Sequence, residues 1–236
     1  MELLGTVPDL PRWVEARGML LSGRGHIVET GLSDPPTVIA APSVLLAVVL
    51  RWDQPEPLTR ALRVVPREFS IVGPVEAEAA VSSVLPHRSR ERATLFHLPA
   101  AAARGLAPAP EARLLRPEEY GQLDNLPPIL RGELRDACTY SPIATAFADD
   151  RPVAFSYSGW ETERHWDVSI DTLDSHRRRG YGAAASTCLI QHFAARDKTA
   201  VWGSVDSNPA SAALAHKLGF TAVDHLMVLY PDDGHY

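Results

Sequence analysis

The stretch from His165 to Ala195 constrains the fold more than any other part of the chain. In HWDVSIDTL, Trp166, Val168 and Ile170 fall on one side and His165, Asp167, Ser169 and Asp171 on the other. That is the two-residue period of a strand. The chain then runs through Arg-Arg-Arg-Gly-Tyr-Gly into a helix over about 182–195, with Ala185, Cys188, Leu189 and Phe193 on one side. A strand that turns directly into a helix needs a further strand to pack on, and AVWGSVDS (200–207) supplies it. Asn208 then caps a second helix, Pro209 suits its first position and Gly219 its stop. A last strand, or a strand pair, covers 220–230. Upstream, 143–158 reads as a hairpin turning at Asp149-Asp150, and 127–137 as a helix opened by proline. The order predicts an α/β fold with a mixed, mostly antiparallel sheet flanked by helices.

With 236 residues and 45% hydrophobic content, the chain can bury a core in one large domain or two small ones. The first half is rich in Pro, Ala and Arg. Strands are expected near 48–53, 66–74 and 93–99, and a helix over 75–85, forming a smaller α/β unit. The Ala/Pro/Gly-rich stretch 100–115 reads as a linker or a loose edge, which puts an N-terminal domain at 1–115 and a second at 116–236. A net charge of −6 argues against a nucleic-acid partner, so any anion site must be local. Cys138 and Cys188 form no CxxC pair and no zinc pattern, so neither a disulfide framework nor a metal site is expected. The most apolar run, 38–50, is interrupted by Pro42 and is shorter than the roughly 20 residues of a bilayer span. The N-terminal residues lack the basic start of a signal peptide. The expectation is a cytoplasmic protein, a monomer or homodimer, without a membrane partner.

The arginines have two readings. One is a solvated turn. The other is an anion cradle: a helix start carries unpaired N–H groups with partial positive charge, and glycines let a bulky anion approach the backbone. The sequence lacks the Lys-Ser/Thr ending of a P-loop. It does not complete a dinucleotide-binding GxGxxG either, and it lies late in the chain.

Arg177-Arg178-Arg179-Gly180-Tyr181-Gly182 resembles the signature of the GCN5-related N-acetyltransferases: Arg or Gln, two residues, Gly, one residue, then Gly or Ala. Val205 to Ser211, Leu214 and Lys217-Leu218-Gly219-Phe220 resemble the family's following motif. The resemblance covers about 115–230. It implies the acyl-CoA N-acyltransferase fold, acetyl-CoA as cosubstrate, and a small-molecule or peptide amine as acceptor, attacked directly in a ternary complex. It implies that Arg177, Arg178, Arg179, Gly180, Tyr181, Gly182 and Ala183 hold the pyrophosphate. Ile170, Asp171, Thr172 and Leu173 would lie along the pantetheine arm, with Asn208 and Ser211 near it. Proton handling is assigned to Asp171, Glu161 and Ser207; Glu163 and His165 are further candidate bases. Where many members carry a tyrosine that protonates the leaving thiolate, this chain has Ala215. That keeps open a second reading, a non-catalytic acyl-CoA sensor or regulatory module. For the first half two readings stand: a degenerate copy of the same fold, or a lid or substrate-recognition domain.

Overall fold

The structure is a computed structural model that describes residues 3–29 and 37–231. Helix α1 (Val14–Ser22) is followed by β1 (His26–Ile27), β2 (Val38–Ala41), β3 (Leu46–Val49), α2 (Pro55–Val64), β4 (Ser70–Pro74), α3 (Glu78–Val84) and β5 (Arg90–Leu98). The stretch read as a linker or a loose edge forms a short α4 (Ala100–Ala103) and β6 (Ala112–Leu114). Then come α5 (Pro128–Ala137), β7 (Ala144–Ala148), β8 (Arg151–Tyr157), β9 (His165–Asp167), β10 (Ser169–Thr172), α6 (Tyr181–Ala194), β11 (Thr199–Val205), α7 (Pro209–Lys217) and β12 (Thr221–Leu229). The expected hairpin is β7–β8. Its turn places Asp149 and Asp150 at φ 48° and 61°, both left-handed, matching the twist of the flanking strands.

The strands form two sheets. The larger has the order β1-β2-β3-β4-β12-β5-β11-β9, the smaller β10-β8-β7-β6. Only β3 with β4 and β9 with β11 run parallel; the other ladders are antiparallel. This is the mixed, antiparallel-dominant α/β fold expected from the sequence.

The large sheet repeats one pattern about its centre. β3–α2–β4–α3–β5 and β9–α6–β11–α7–β12 are each three strands and two helices, with the first two strands parallel. The last strand of each unit lies beside the second strand of the other, β12 against β4 and β5 against β11. β5 and β12 pair with each other in the middle. Strands from both sides of residue 115 therefore build one sheet. The stretch 70–81, SIVGPVEAEAAV, corresponds by this order to β11 and α7 of the second unit.

Alternation along the central strands makes two cores. Phe96 and Trp202 face α6 and α7, packing with Leu189, Phe193 and Leu218. Their neighbours Leu95 and Val201 face the other way, with Val14 of α1. Small residues bring the start of α6 onto the small sheet: Ala184 and Ala185 pack against Ala146 of β7 and Ala154 of β8. No helix among the described residues is long and apolar enough to cross a membrane.

Candidate functional site: a wedge beside an open helix start

β9 and β10 are one extended segment shared between two sheets. His165, Trp166 and Asp167 pair with Thr199, Ala200 and Val201 of β11, and Val168 N–H still donates to the Val201 carbonyl at 2.9 Å. From Ser169 onward the partner is β8. Beyond Val201, β11 pairs with β5 alone. The two strands therefore part at Val168 and leave a wedge, with β10 at the free edge of the small sheet.

Helix α6 starts at the open end of this wedge. Its N-cap is Gly180 at φ 94°, and no side chain caps it. The first intrahelical bond runs from Ala184 N–H to the Gly180 carbonyl at 3.0 Å. The amides of Tyr181, Gly182 and Ala183 thus have no acceptor within the helix. A Cβ built on Gly182 would stand 3.0 Å from Thr172 Oγ1 and 3.8 Å from both Ile170 and Leu214. Glycine keeps that gap between β10 and α7 open. The turn before the helix is itself unusual, with Arg178 at φ 62°.

A groove of about 530 Å³ follows this gap. It brings together Ile170, Asp171, Thr172, Arg177, Arg178, Gly180, Gly182, Ala183, Asn208 and Ser211. Leu173 joins the core under α5 instead, Arg179 does not line the groove, and Tyr181 turns its ring edge toward His176. Asn208 caps α7 by accepting from Ser211 N–H at 3.1 Å, and Ser211 Oγ accepts from Trp202 Nε1 at 2.9 Å. Lys217 also lines the groove. It shares a face of α7 with Ala210, Ala213 and Leu214, so helical spacing from Ala210 was the signal that points to it.

Of the residues assigned to proton handling, Asp171 alone lines the groove. Burial raises its carboxyl, against the lowering effects of the Tyr157 hydroxyl, 3.4 Å from Oδ2, and of Arg177. Burial and Asp171 together hold the Tyr157 phenol far above its ordinary range. Glu133 of α5 lies near enough that Asp171 adds to its own upward shift. Neither Tyr157 nor Glu133 stands out in the sequence, because only the fold brings β8 and α5 to β10. Glu161 lies elsewhere, 2.5 Å from Lys198 Nζ, in a separate cavity of about 430 Å³ that also includes Arg24 and Tyr140. Ser207 sits in the β11–α7 turn, where its N–H donates to Glu91. Glu163 is held by Arg17 at 2.6 Å, and His165 Nδ1 lies 2.7 Å from Asp9 Oδ1. Ala215, in the position of the family's tyrosine, is fully buried, and neighbouring His216 packs edge-on against Phe96.

A parted strand pair beside an uncapped, glycine-opened helix defines the acyl-CoA-binding type of α/β fold. Residues 144–229 match the family model for GNAT acetyltransferases. No curated protein matches the sequence. Solved structures match across nearly the whole chain. A GCN5-related N-acetyltransferase-like protein from Streptococcus suis is 13% identical, with 97% of this chain and 95% of that one covered at a TM-score of 0.63. A GNAT-family acetyltransferase from Novosphingobium aromaticivorans is 18% identical over 94% and 96%, at 0.62. A GCN5-related N-acetyltransferase from Kribbella flavida is 16% identical over 92% and 93%, also at 0.62. At such identities the likeness is one of fold.

Proposed function

We propose that the protein is an N-acetyltransferase that moves an acetyl group from acetyl-CoA to a primary amine, with both reactants held together. The observation that carries this reading is the start of α6: three amides without helix acceptors, no side-chain cap, and a glycine gap onto the free edge of β10. These features suit a diphosphate with an arm lying along the strand. Tyr181, Gly182 and Ala183 would bind the diphosphate through their amides, with Arg177, Arg178 and Lys217 adding positive charge. Ile170 and Thr172 would line the arm. The thioester supplies an activated acyl group, and no covalent enzyme nucleophile is needed. Holding the two reactants in place supplies much of the rate.

The acceptor is a small-molecule or peptide amine, and the protein works in the cytoplasm. Calorimetric titration with acetyl-CoA should show binding. Thiol should then appear when acetyl-CoA is mixed with an acceptor from a panel of spermidine, kanamycin, free amino acids and a short peptide with a free N-terminus. Absence of binding would end this reading. Binding without turnover across the panel would favour the acyl-CoA sensor, the reading that buried Ala215 supports.

A further inference from the structure

The two faces of β10 meet different surroundings. Ile170 and Thr172 pair with Ser156 and Ala154, and this face lies under α6, where Ala184 and Ala185 pack with Ala154 and Ile170. Ser169 and Asp171 pair with Tyr157 and Phe155 on the other face. Phe155 shares a core with Leu134 and Ala137 of α5, so Tyr157 and Asp171 point toward α5 and away from α6. Asp171 still belongs to the free-edge strand and borders the groove. With α6 and α7 covering one side of the wedge, an amine reaches a thioester lying along β10 from the side of Ser169 and Asp171.

Tyr157 ends β8 opposite Ser169, which makes Asp171 its diagonal neighbour on the same face. An aromatic side chain spans that distance. The Tyr157 hydroxyl stands 3.4 Å from Asp171 Oδ2 and has no other hydrogen-bond partner among the described residues. Its ring is fixed against the core under α5, and both side chains are half-buried. The remaining charged and titratable neighbours come from the turn after β10 and from α5. Arg177 donates to the Thr172 carbonyl at 3.3 Å and pairs with Asp174 at 3.0 Å, and its charge favours the ionised form of Asp171. Glu133 of α5 and Tyr140 just beyond that helix act on Tyr157. Arg178 and Lys217 line the same groove. Burial, then Asp171 and Glu133, keep the Tyr157 phenol protonated, so it can only donate to the carboxylate.

Resting on the transferase reading, we propose that Tyr157 is a positioning residue: its hydroxyl donates to Oδ2 of Asp171 and leaves Oδ1 to accept the proton of the attacking amine. The amine nitrogen bonds to the acyl carbon, the C–S bond breaks, and sulfur leaves with the bonding pair. The nitrogen gives up one proton to the Asp171 carboxylate, which releases it to water, and the thiolate takes one from water.

The test is Tyr157→Phe, which keeps the ring and removes the hydroxyl, beside Asp171→Asn and the conservative Asp171→Glu. Thiol release is followed across pH with the same acceptor panel. Asp171→Asn should lose on the order of 100-fold in kcat, and Asp171→Glu should recover part of that. Tyr157→Phe should lose about tenfold in kcat with acetyl-CoA affinity unchanged. A bond donated to the ionised carboxyl holds it lower, so losing the hydroxyl raises Asp171 further and should move the acidic limb of the rate profile up by about half a pH unit or more. A second readout needs no turnover. Titration of the Asp171 side-chain carboxyl by NMR, assigned with Asp171→Asn, should show the same upward shift in Tyr157→Phe. An unmoved titration and profile in Tyr157→Phe, whatever its rate, overturns this proposal alone, and so does full turnover by Asp171→Asn. No turnover by the wild type with any acceptor overturns it together with the transferase reading, whereas absent acetyl-CoA binding is the failure of that reading itself.

Discussion

Gly182 has helical neighbours, so its glycine is not needed for backbone conformation. What requires it is space, since even a Cβ would press on Thr172 Oγ1 at 3.0 Å. Gly182→Val should leave the fold standing, because glycine is a poor helix former to begin with. The added methyls enter the gap between β10 and α7, where a ligand arm would lie. Acetyl-CoA affinity should fall by about tenfold or more, which is roughly 1.4 kcal/mol per decade, with the melting temperature little changed. Calorimetry on both proteins checks this, and equal affinities would count against the cradle. The neighbouring Gly180 is different: at φ 94° its conformation is the constraint, and the space beside it is open.

Among the elements, the β7–β8 hairpin shows a local rule met at a cost. Its two-residue turn needs positive φ at both positions, and Asp149 and Asp150 provide it without glycine. Asp150 is exposed, so Asp150→Gly should relieve left-handed strain of up to about 1 kcal/mol and raise the melting temperature. A lower melting temperature in a thermal scan would contradict that account. Helices α2 and α6 make a second comparison. They hold equivalent places in the two units of the large sheet, but α2 starts Pro55-Glu56-Pro57. The prolines remove two N–H donors, and the glutamate places negative charge where α6 has arginines and glycines.

For the whole molecule, that contrast predicts one acetyl-CoA per chain despite the repeated topology. A calorimetric titration should give a stoichiometry of one, and two sites of similar affinity would refute it. The N-terminal half then serves by supplying β5, which separates β11 from β12, and α1, which covers the face opposite α6.

The elements and the glycine-opened start of α6 were legible in the sequence because their signals are local. Alternation marks strands, proline and glycine mark where helices start and stop, and Asn208 caps α7 through a residue three positions away. Only the tertiary structure decided which strands are neighbours, since backbone hydrogen bonds are alike everywhere and pairing is chosen by which faces bury together. The alternation of His165 to Asp171 passes through Val168 unbroken, so nothing in the pattern shows that the segment changes sheets there. Nor can spacing bring Arg12 to Asp224 or Tyr157 to Asp171. Those meetings depend on packing between distant segments.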